Sequence, residues 1–272
     1  MDLHYLTNVA VKAALAAGKI IKKAIDDDVE IREKEGGNTY ASQIVTTVDF
    51  ECESVILEYL TPTCKNYDIA LLSEEKEDDK SRFEKDFFWC IDPMDGTLAF
   101  INKKPGFSVA IALVSKAGIP QIGVVFDPSN DNLYYAIKNK GAFKNGKPWQ
   151  PSTPNNHLTY VTDKKLEDTP RASEIKKLLN SKIANLGLQN YKEISGAGSV
   201  LNAILVAENT PALLLKFPKK EKGGGSIWDF AATACIFKEL RLAATNFKGK
   251  SLDLNRKEDT FMNTEGILFS SL

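Results

Sequence analysis

The chain has 272 residues, of which 43% are apolar and 26% are charged, and its formal net charge is -1. Such a chain can bury a sizeable core, as one large domain or as two tightly joined subdomains, and it lacks the basic excess of a general nucleic-acid binder. The sequence does not open with a signal-peptide pattern, and no apolar run approaches the roughly 20 residues of a membrane span. We therefore expect a cytoplasmic protein that binds neither nucleic-acid polymers nor membranes.

Cysteine and histidine are too scattered to form a site of their own. The four cysteines show no CxxC spacing, so free thiols are favoured over zinc ligands or disulfides. His4 and His157 are the only histidines. Acid–base chemistry is therefore assigned to carboxylates, hydroxyls and a bound metal ion.

The first part of the chain predicts two helices separated by a loop and a short strand. Apolar residues recur at helical spacing from Leu3 to Ala24, which predicts an amphipathic packing helix. Glu30 to Tyr40 is charged and has no apolar period, so it is either a solvated loop or a loop that closes over a site. The strand-like run Ile44 to Val48 leads into a helix that starts near Asp49. That aspartate fits a helix N-cap or a catalytic carboxylate.

Two further apolar runs end in carboxylates. Ile69 to Leu72 is followed by Ser73, Glu74 and Glu75, and Phe87 to Ile91 is followed by Asp92. Runs of this length and composition predict buried strands, and a strand end is a good place for chemistry. Glu74 is therefore a candidate ligand, although the charged residues after it are most simply a solvated loop.

The segment Asp92 to Thr97 is the most informative stretch. Pro93 removes a backbone donor and Gly96 tolerates positive φ, so we predict a sharp turn that brings the two aspartates of the segment together. Two hard oxygen ligands that face one point suit Mg²⁺. Gly96 and Thr97 can open a helix whose free N–H groups hold a phosphate. The segment therefore predicts metal-assisted phosphate chemistry.

The second half of the chain changes its pattern at residue 151. Apolar stretches and turns from Phe107 to Pro148 predict an antiparallel sheet. The polar segment Pro151 to Asn156 is the candidate boundary between an N-terminal α+β subdomain, residues 1–150, and a C-terminal α/β subdomain, residues 151–272. Beyond it, alternating strand and helix patterns predict a mainly parallel sheet flanked by helices. The helices are expected over Arg171 to Leu179, Val200 to Glu208 and Trp228 to Leu240.

Three segments of this half are candidates for substrate or metal binding. Ser195, Gly196 and Ala197 lie between a predicted strand and a predicted helix, where small residues contact a substrate or merely permit close packing. The lysine-rich segment Lys216 to Gly225 is either a flexible solvated loop or a cationic rim for an anionic substrate. Asp229 falls in the first turn of the last helix, where a carboxylate complements the helix dipole.

Four of these stretches, in this order, resemble the motifs of the inositol monophosphatase superfamily, the Mg²⁺-dependent, lithium-sensitive phosphomonoesterases. They are Val45 to Asp49, Leu72 to Glu75, Asp92 to Thr97 and Trp228 to Ala232. Any one of them alone would be weak, but all four in order are highly specific. The resemblance covers most of the chain and implies a layered αβαβα sugar-phosphatase-like fold and a homodimer.

The resemblance also implies roles for individual residues. The implied metal ligands are Glu74, Glu75, Asp92, the Met94 carbonyl, Asp95 and Asp229. Asp92 would bridge two Mg²⁺ ions, and Glu75 would help to seat a third, weaker ion. The residues implied in catalysis are Glu74 and the pair of Asp49 and Thr97, which would orient a metal-activated attacking water. The phosphate would lie on the metals and on the N–H groups of Gly96 and Thr97.

The resemblance leans towards the 3′(2′),5′-bisphosphate nucleotidase branch, whose reaction converts adenosine 3′,5′-bisphosphate into AMP and phosphate. Leu72 to Glu75 looks more like that branch, and the lysines of residues 216–222 suit a second phosphate. The Lys-Glu-Phe pattern common in that branch is absent at residues 98–100, however. The alternatives are an inositol-1-monophosphatase or a fructose-1,6-bisphosphatase-like sugar phosphatase. Outside enzymes, the alternative is a catalytically silent, metal-responsive binding protein.

Overall fold

Helix layers and sheet layers alternate in the computed structural model, which describes residues 1–27, 30–33, 44–221, 223 and 225–272. The helices are α1 (Leu3–Ala24), α2 (Thr47–Tyr67), α3 (Thr97–Ile101), α4 (Ala172–Leu186), α5 (Ser199–Glu208) and α6 (Ile227–Glu239). Helices α1 and α2 cover one sheet, α5 and α6 lie between the two large sheets, and α4 covers the outer face of the second sheet. The predicted αβαβα layering is therefore confirmed.

The strands form two large sheets and one small hairpin. The strands are β1 (Ile31–Glu33), β2 (Ile44–Thr46), β3 (Ala70–Ser73), β4 (Phe87–Asp95), β5 (Ser108–Ser115), β6 (Pro120–Asp127), β7 (Asn132–Ile137), β8 (Gly141–Lys144), β9 (Lys147–Trp149), β10 (Leu158–Thr162), β11 (Tyr191–Ser195), β12 (Ala212–Lys216), β13 (Ala243–Thr245) and β14 (Ile267–Ser270). β1 lies within the segment predicted as a loop and pairs with β2. Residues 34–40 of that segment lie outside the described part of the chain.

The first large sheet has seven strands in the order β3-β4-β5-β6-β7-β8-β9. Only the β3–β4 pair is parallel, so the predicted antiparallel sheet is confirmed. Because side chains alternate along a strand, Trp89 and Ile91 pack towards α1 and α2, whereas Phe88 and Cys90 pack towards α6. Burial of each large apolar side chain contributes about 1.5–3 kcal/mol. Strand β4 is therefore held from both faces.

The turn predicted for the segment Asp92 to Thr97 lies at its end, at Gly96, and a bulge in β4 rather than a turn at Pro93 brings the two aspartates together. Strand β4 runs on to Asp95, and its pairing with β5 shifts register because Asp92 opposes Ala110 while Asp95 opposes Ser108. In a regular strand, residues three apart point to opposite faces, but one extra residue restores a common side. A bulge also tolerates the missing N–H of Pro93. The chain turns only at Gly96, where φ is 85°.

The second large sheet is mixed, with the order β11-β10-β12-β14-β13. Strands β10, β11 and β12 are parallel to one another, which agrees with the mainly parallel sheet predicted for this half. Strand β14, which the sequence patterns did not predict, inserts antiparallel between β12 and β13. It can do so because residues 246–266, all of them described, contain no crossover helix between β13 and β14. The parallel strands end at one edge, where Ser195 and Lys216 lie.

The two halves of the chain share a core. Val125 and Ala136 from the first sheet belong to the same buried cluster as α5, α6 and Phe269 from the second half. The subdomain division at residue 150 stays a prediction. The four cysteines are free thiols, as expected. None of the described helices has the length and apolar character needed to cross a membrane.

Candidate active site

Three predicted metal ligands converge at the end of β4. Asp92, Asp95 and Asp229 each offer a carboxylate oxygen, and these oxygens all lie within 4.8 Å of one another. The bulge in β4 supplies the first two, and the first turn of α6 supplies the third. Asp92 is 1% exposed and Asp95 is 6% exposed. Hard carboxylate oxygens at this spacing fit a divalent cation such as Mg²⁺.

The N-terminus of α5 holds Asp95 in place. The N–H groups of Ser199 and Val200 donate to its two carboxylate oxygens at 3.0 Å and 2.9 Å. The first N–H groups of a helix have no acceptor within the helix, and the helix dipole favours a negative charge there. Gly198 makes this approach possible, because a Cβ at that position would lie 2.2 Å from Asp95 Oδ2. The start of α5 therefore orients a predicted metal ligand.

Asp229 serves the helix and the cluster together. It occupies the third position of α6, and its Oδ2 accepts a hydrogen bond from the N–H of Ser226 at 2.6 Å. This hydrogen bond occupies one carboxylate oxygen of Asp229 at the start of the helix. The structural interpretation of Asp229 and the proposed metal-binding role are thus compatible.

The electrostatics of the cluster favour a bound cation. Burial, followed by the charge of Asp229, raises the pKa of the Asp95 carboxyl well above its ordinary value. Burial, followed by the charge of Glu74, raises the pKa of Asp229 to about 6. Buried carboxylates that repel one another are stabilised by a divalent cation, which offsets both the burial and the repulsion. The residues present therefore fit the Mg²⁺ ions that the resemblance implies.

Among the described residues, Glu74 and Glu75 are outside the group of three aspartates. Glu74 directly follows β3, and its N–H donates to the carbonyl of Ile91 at 3.1 Å. Its charge acts on both Asp95 and Asp229, which places it near them. Glu75 is half-buried and one residue further along the chain.

Glu53 is a buried acid that the sequence patterns did not single out. It is 5% exposed, and its Oε1 accepts a hydrogen bond from Ser73 Oγ at 2.5 Å. Ser73 is the last residue of β3, so this contact ties α2 to the strand end that carries Glu74. The sequence did offer a signal for Glu53, because it lies four residues after Asp49 and therefore on the same face of the predicted helix.

Asp49 and Thr97 meet, as the resemblance implies. The Thr97 hydroxyl lies 3.3 Å from Asp49 Oδ1 and 3.2 Å from the Met94 carbonyl, and it can donate to either. Asp49 Oδ2 accepts hydrogen bonds from the N–H and the hydroxyl of Thr46, both at 2.7 Å. The predicted N-cap role of Asp49 is wrong, since Thr46 is the N-cap and Asp49 is the third helical residue. This capping box holds the carboxylate still.

The turn at Gly96 is joined to the N-terminus of α5 through Gly106. A Cβ on Gly96 would lie 2.4 Å from the Gly106 carbonyl oxygen, which itself accepts a hydrogen bond from the N–H of Gly198 at 2.7 Å. Thr97 then begins the short helix α3, whose first N–H groups have no acceptor within the helix. The N–H groups of Gly96 and Thr97 are thus placed beside the aspartates of β4.

The predicted substrate residues lie at the end of the parallel strands. Ser195 and Gly196 are exposed, and Ala197 is half-buried. The Lys216 side chain is 10% exposed, and its Nζ lies 2.5 Å from Asp163 Oδ2. Lys222 lies outside the described residues. Asp163, which the sequence patterns did not single out, is therefore part of this edge.

Lys216 remains a charged ammonium at this edge. Burial lowers the pKa of Lys216, but the carboxylates of Asp163 and Asp229 outweigh burial and raise that pKa above its ordinary value. The charge of Asp95 acts on it in the same direction. Lys216, the last residue of β12, is therefore a cation that pairs with Asp163 at this edge.

Mg²⁺ affinity is expected to fall as the pH is lowered. A cation competes with protons for the same carboxylates, so groups with raised pKa values bind it only above those values. For Asp229, with a pKa of about 6, lowering the pH from about 7 to about 5 should weaken the apparent Kd about tenfold, and Asp95 should add to this. Titration calorimetry with Mg²⁺ across this range checks the expectation. An affinity independent of pH would contradict it.

Comparison with known proteins supports the family resemblance that the sequence motifs indicated. The profile of the Inositol monophosphatase family matches residues 2–270. Inositol-1-monophosphatase from Synechocystis sp. is 34% identical over 259 residues, which are 93% of this chain and 83% of that protein. Nus factor SuhB from Escherichia coli is 36% identical over 153 residues, 56% of this chain, and the match spans only about half (54%) of the length of that protein.

Solved structures extend the likeness to the whole fold. CysQ from Bacteroides thetaiotaomicron has a TM-score of 0.77 and 26% identity, over 98% of both chains. An IMPase/NADP phosphatase complexed with NADP and Ca²⁺ has a TM-score of 0.77 and 19% identity, over 100% of this chain and 92% of that one. With its motifs, its layered fold and a family profile that matches residues 2–270, the chain belongs to the inositol monophosphatase family.

Proposed function

We propose that the protein is a Mg²⁺-dependent phosphomonoesterase that hydrolyses a small phosphorylated substrate. The observation that carries this proposal is the convergence of Asp92, Asp95 and Asp229 within 4.8 Å next to the Asp49–Thr97 pair. Membership of a family named for a phosphatase supports it. A catalytically silent binding protein would not need a hydroxyl held beside the metal ligands.

The ligand assignment is the one that the resemblance implies. Glu74, Asp92, the Met94 carbonyl, Asp95 and Asp229 would together hold two Mg²⁺ ions, and Glu75 would help to seat a third, weaker ion. The grouping of Asp92, Asp95 and Asp229 supports this assignment. Bound Mg²⁺ would lower the pKa of the attacking water and neutralise charge on the phosphoryl and leaving groups.

The chain itself orients the water and the phosphate. When the Thr97 hydroxyl donates to Asp49 Oδ1, 3.3 Å away, its oxygen keeps lone pairs that would accept a hydrogen bond from the attacking water. Asp49 can keep accepting the hydroxyl proton of Thr97 because hydrogen bonds from Thr46 hold its other carboxylate oxygen in place. The N–H groups of Gly96 and Thr97 are proposed to donate to the phosphate oxygens, as first-turn N–H groups do at many helix starts.

The names of the relatives favour an inositol monophosphate over a bisphosphonucleotide. The Synechocystis relative, at 34% identity, is named an inositol-1-monophosphatase, so the alternative drawn from the sequence is better supported than the bisphosphate nucleotidase. We keep the latter as the second candidate because Leu72 to Glu75 resembles that branch and because the lysines of residues 216–222 suit a second phosphate. A homodimer and a cytoplasmic location stay predictions.

Phosphate release tests the proposed function directly. We expect Mg²⁺-dependent release from inositol 1-phosphate, loss of release when a chelator removes the metal, and recovery when Mg²⁺ is added back. Adenosine 3′,5′-bisphosphate and fructose 1,6-bisphosphate serve as comparison substrates. A preference above about tenfold in kcat/KM, equal to about 1.4 kcal/mol, identifies the substrate class. If calorimetry shows that Mg²⁺ binds but no phosphate is released from any of the three substrates, the proposed phosphatase activity is contradicted and a binding protein is favoured.

A further inference from the structure

The start of α6 contacts a short segment between β13 and β14, residues 260–263, which we call the anchor segment. The N–H of Ile227, the first residue of α6, donates to the Thr260 carbonyl at 2.9 Å. The N–H of Met262 donates to the Gly225 carbonyl at 3.0 Å. Because the first N–H groups of a helix find no acceptor within the helix, the anchor segment supplies an acceptor from outside it.

Ser226 lies between these two hydrogen bonds and orients Asp229. It forms an antiparallel bridge with Phe261 of the anchor segment, and it is 4% exposed. Its N–H donates to Asp229 Oδ2 at 2.6 Å. Groups that donate hydrogen bonds to a metal-ligating carboxylate fix its orientation and influence the metal affinity. The anchor segment therefore supports a predicted metal ligand through Ser226.

Asn263 holds the anchor segment from its other side. It is 3% exposed, and its Nδ2 donates to the Lys219 carbonyl at 3.0 Å and to the Glu221 carbonyl at 2.6 Å. The N–H of Lys219 donates to the Asn263 carbonyl at 3.1 Å. Both amide hydrogens of Asn263 are used, so its side chain is held in one orientation. Two residues of the lysine-rich segment are thus attached to the anchor segment.

The anchor segment is therefore held between α6 and the lysine-rich segment. Asn263 and Met262 are neighbours in the chain, so a displacement of Asn263 also displaces the N–H that donates to Gly225. Without the Asn263 amide, two of the hydrogen bonds that fix this end of the anchor segment are lost. The backbone at residues 262–263 can then move relative to the start of α6.

We propose that Asn263 is a positioning residue for the metal centre. It fixes the anchor segment, the anchor segment fixes Ser226, and Ser226 orients the carboxylate of Asp229 towards Asp92 and Asp95. The inference rests on the proposed metal-dependent phosphomonoesterase and adds to it a residue outside the four motif stretches. A positioning role predicts a loss of metal affinity, whereas a merely structural role predicts a loss of stability alone.

Asn263→Ala is expected to weaken Mg²⁺ binding about tenfold or more, the effect of removing support behind a metal ligand. Asn263→Asp keeps the size of the side chain, but an ionised carboxylate has no hydrogen to donate to the two carbonyls, so it should weaken binding at least as much. Titration calorimetry with Mg²⁺, on protein shown to be folded by circular dichroism, measures both.

Asn246→Ala is the matched control, since Asn246 is a similarly buried amide at 4% exposure. Its hydrogen bonds go to Lys248, Lys250 and Glu265 rather than to α6 or the lysine-rich segment. Asn246→Ala and Asn263→Ala should both lower the metal-free Tm by about 5 °C, because each loses buried hydrogen bonds. Only the Asn263 variants should lose Mg²⁺ affinity. A Kd within about twofold of wild type in both Asn263 variants, or an equal loss in Asn246→Ala, would overturn the inference.

Amide hydrogen exchange tests the same coupling in wild type and needs no variant. Coupling between two sites is reciprocal, so Mg²⁺ binding should stabilise the contacts that position its ligand. We expect saturating Mg²⁺ to slow the exchange of the N–H groups of Ser226, Met262 and Lys219 about tenfold. Slower exchange at Ser226 with unchanged exchange at Lys219 would contradict the role of Asn263.

Phosphate release separates a failure of this inference from a failure of the proposed function. If wild type binds Mg²⁺ more tightly than the Asn263 variants do, yet releases no phosphate, the positioning role is retained and the enzyme assignment is lost. If wild type releases phosphate, and the Asn263 variants bind Mg²⁺ as tightly as wild type, the enzyme is retained and the positioning role is lost.

Discussion

Asp92→Asn is expected to lower kcat/KM for the preferred phosphomonoester by about a thousandfold or more. Asp92 is 1% exposed, and one of its carboxylate oxygens lies within 4.8 Å of those of Asp95 and Asp229. An amide cannot replace an anionic ligand proposed to bridge two ions. Loss of several kcal/mol of charge stabilisation corresponds to this factor, since each 1.36 kcal/mol is tenfold in rate.

The thermal behaviour of the same variant separates a lost site from a lost fold. Without metal, Asp92→Asn should be at least as stable as wild type, because it removes one charge from a cluster of like charges. With Mg²⁺, wild type should gain in Tm and the variant should gain much less, since only a bound ligand stabilises the folded state. Phosphate release equal to wild type, with normal folding, would rule out the proposed centre.

Gly198→Ala is expected to weaken Mg²⁺ binding at least tenfold, about 1.4 kcal/mol, and to lower activity further. Gly198 has φ -65° and ψ 170°, which alanine adopts easily, so backbone strain is not the cause. The added Cβ would lie 2.2 Å from Asp95 Oδ2 and 2.6 Å from its Cγ. Either Asp95 or the start of α5 must move, and the hydrogen bonds from Ser199 and Val200 would be broken.

Gly146→Ala is the control for a general glycine effect. A Cβ on Gly146 meets nothing within 4 Å, but its φ of 77° is strained for alanine. That variant should lose about 1 kcal/mol of stability and keep its Mg²⁺ affinity. Calorimetry and thermal unfolding on both variants make the comparison. An unchanged Mg²⁺ affinity in Gly198→Ala would mean that the packing of Gly198 against Asp95 does not position the ligand.

Features that depend on short stretches of sequence were predicted well. The apolar period of α1, the buried run of β4 and the helix start at Asp229 are local, because each follows from residues a few positions apart. The antiparallel order of the first sheet also follows from short turns between strands. The length of α4 was underestimated, since the predicted helix ends at Leu179 and the observed one at Leu186.

Features that depend on a partner distant in sequence were missed. The bulge in β4 exists only relative to β5, so a pattern read along one strand predicted a turn in the segment Asp92 to Thr97 but not the shift in register. Strand β14 was missed because its place between β12 and β13 depends on the sheet around it. The N-cap was placed three residues too late, at Asp49 instead of Thr46, because Asp49 takes part in the same capping box as its third helical residue.

The sequence by itself determined that carboxylates follow buried strands, that a glycine turn and a threonine lie beside them, and that no histidine or cysteine chemistry competes. Only the tertiary structure decided which carboxylates share one point: Asp92, Asp95 and Asp229 do, and Glu74 lies at their side. It also placed Asp163 against Lys216. The physical reason is that ligands and substrate contacts are set by distances between elements, which packing fixes and local propensity does not.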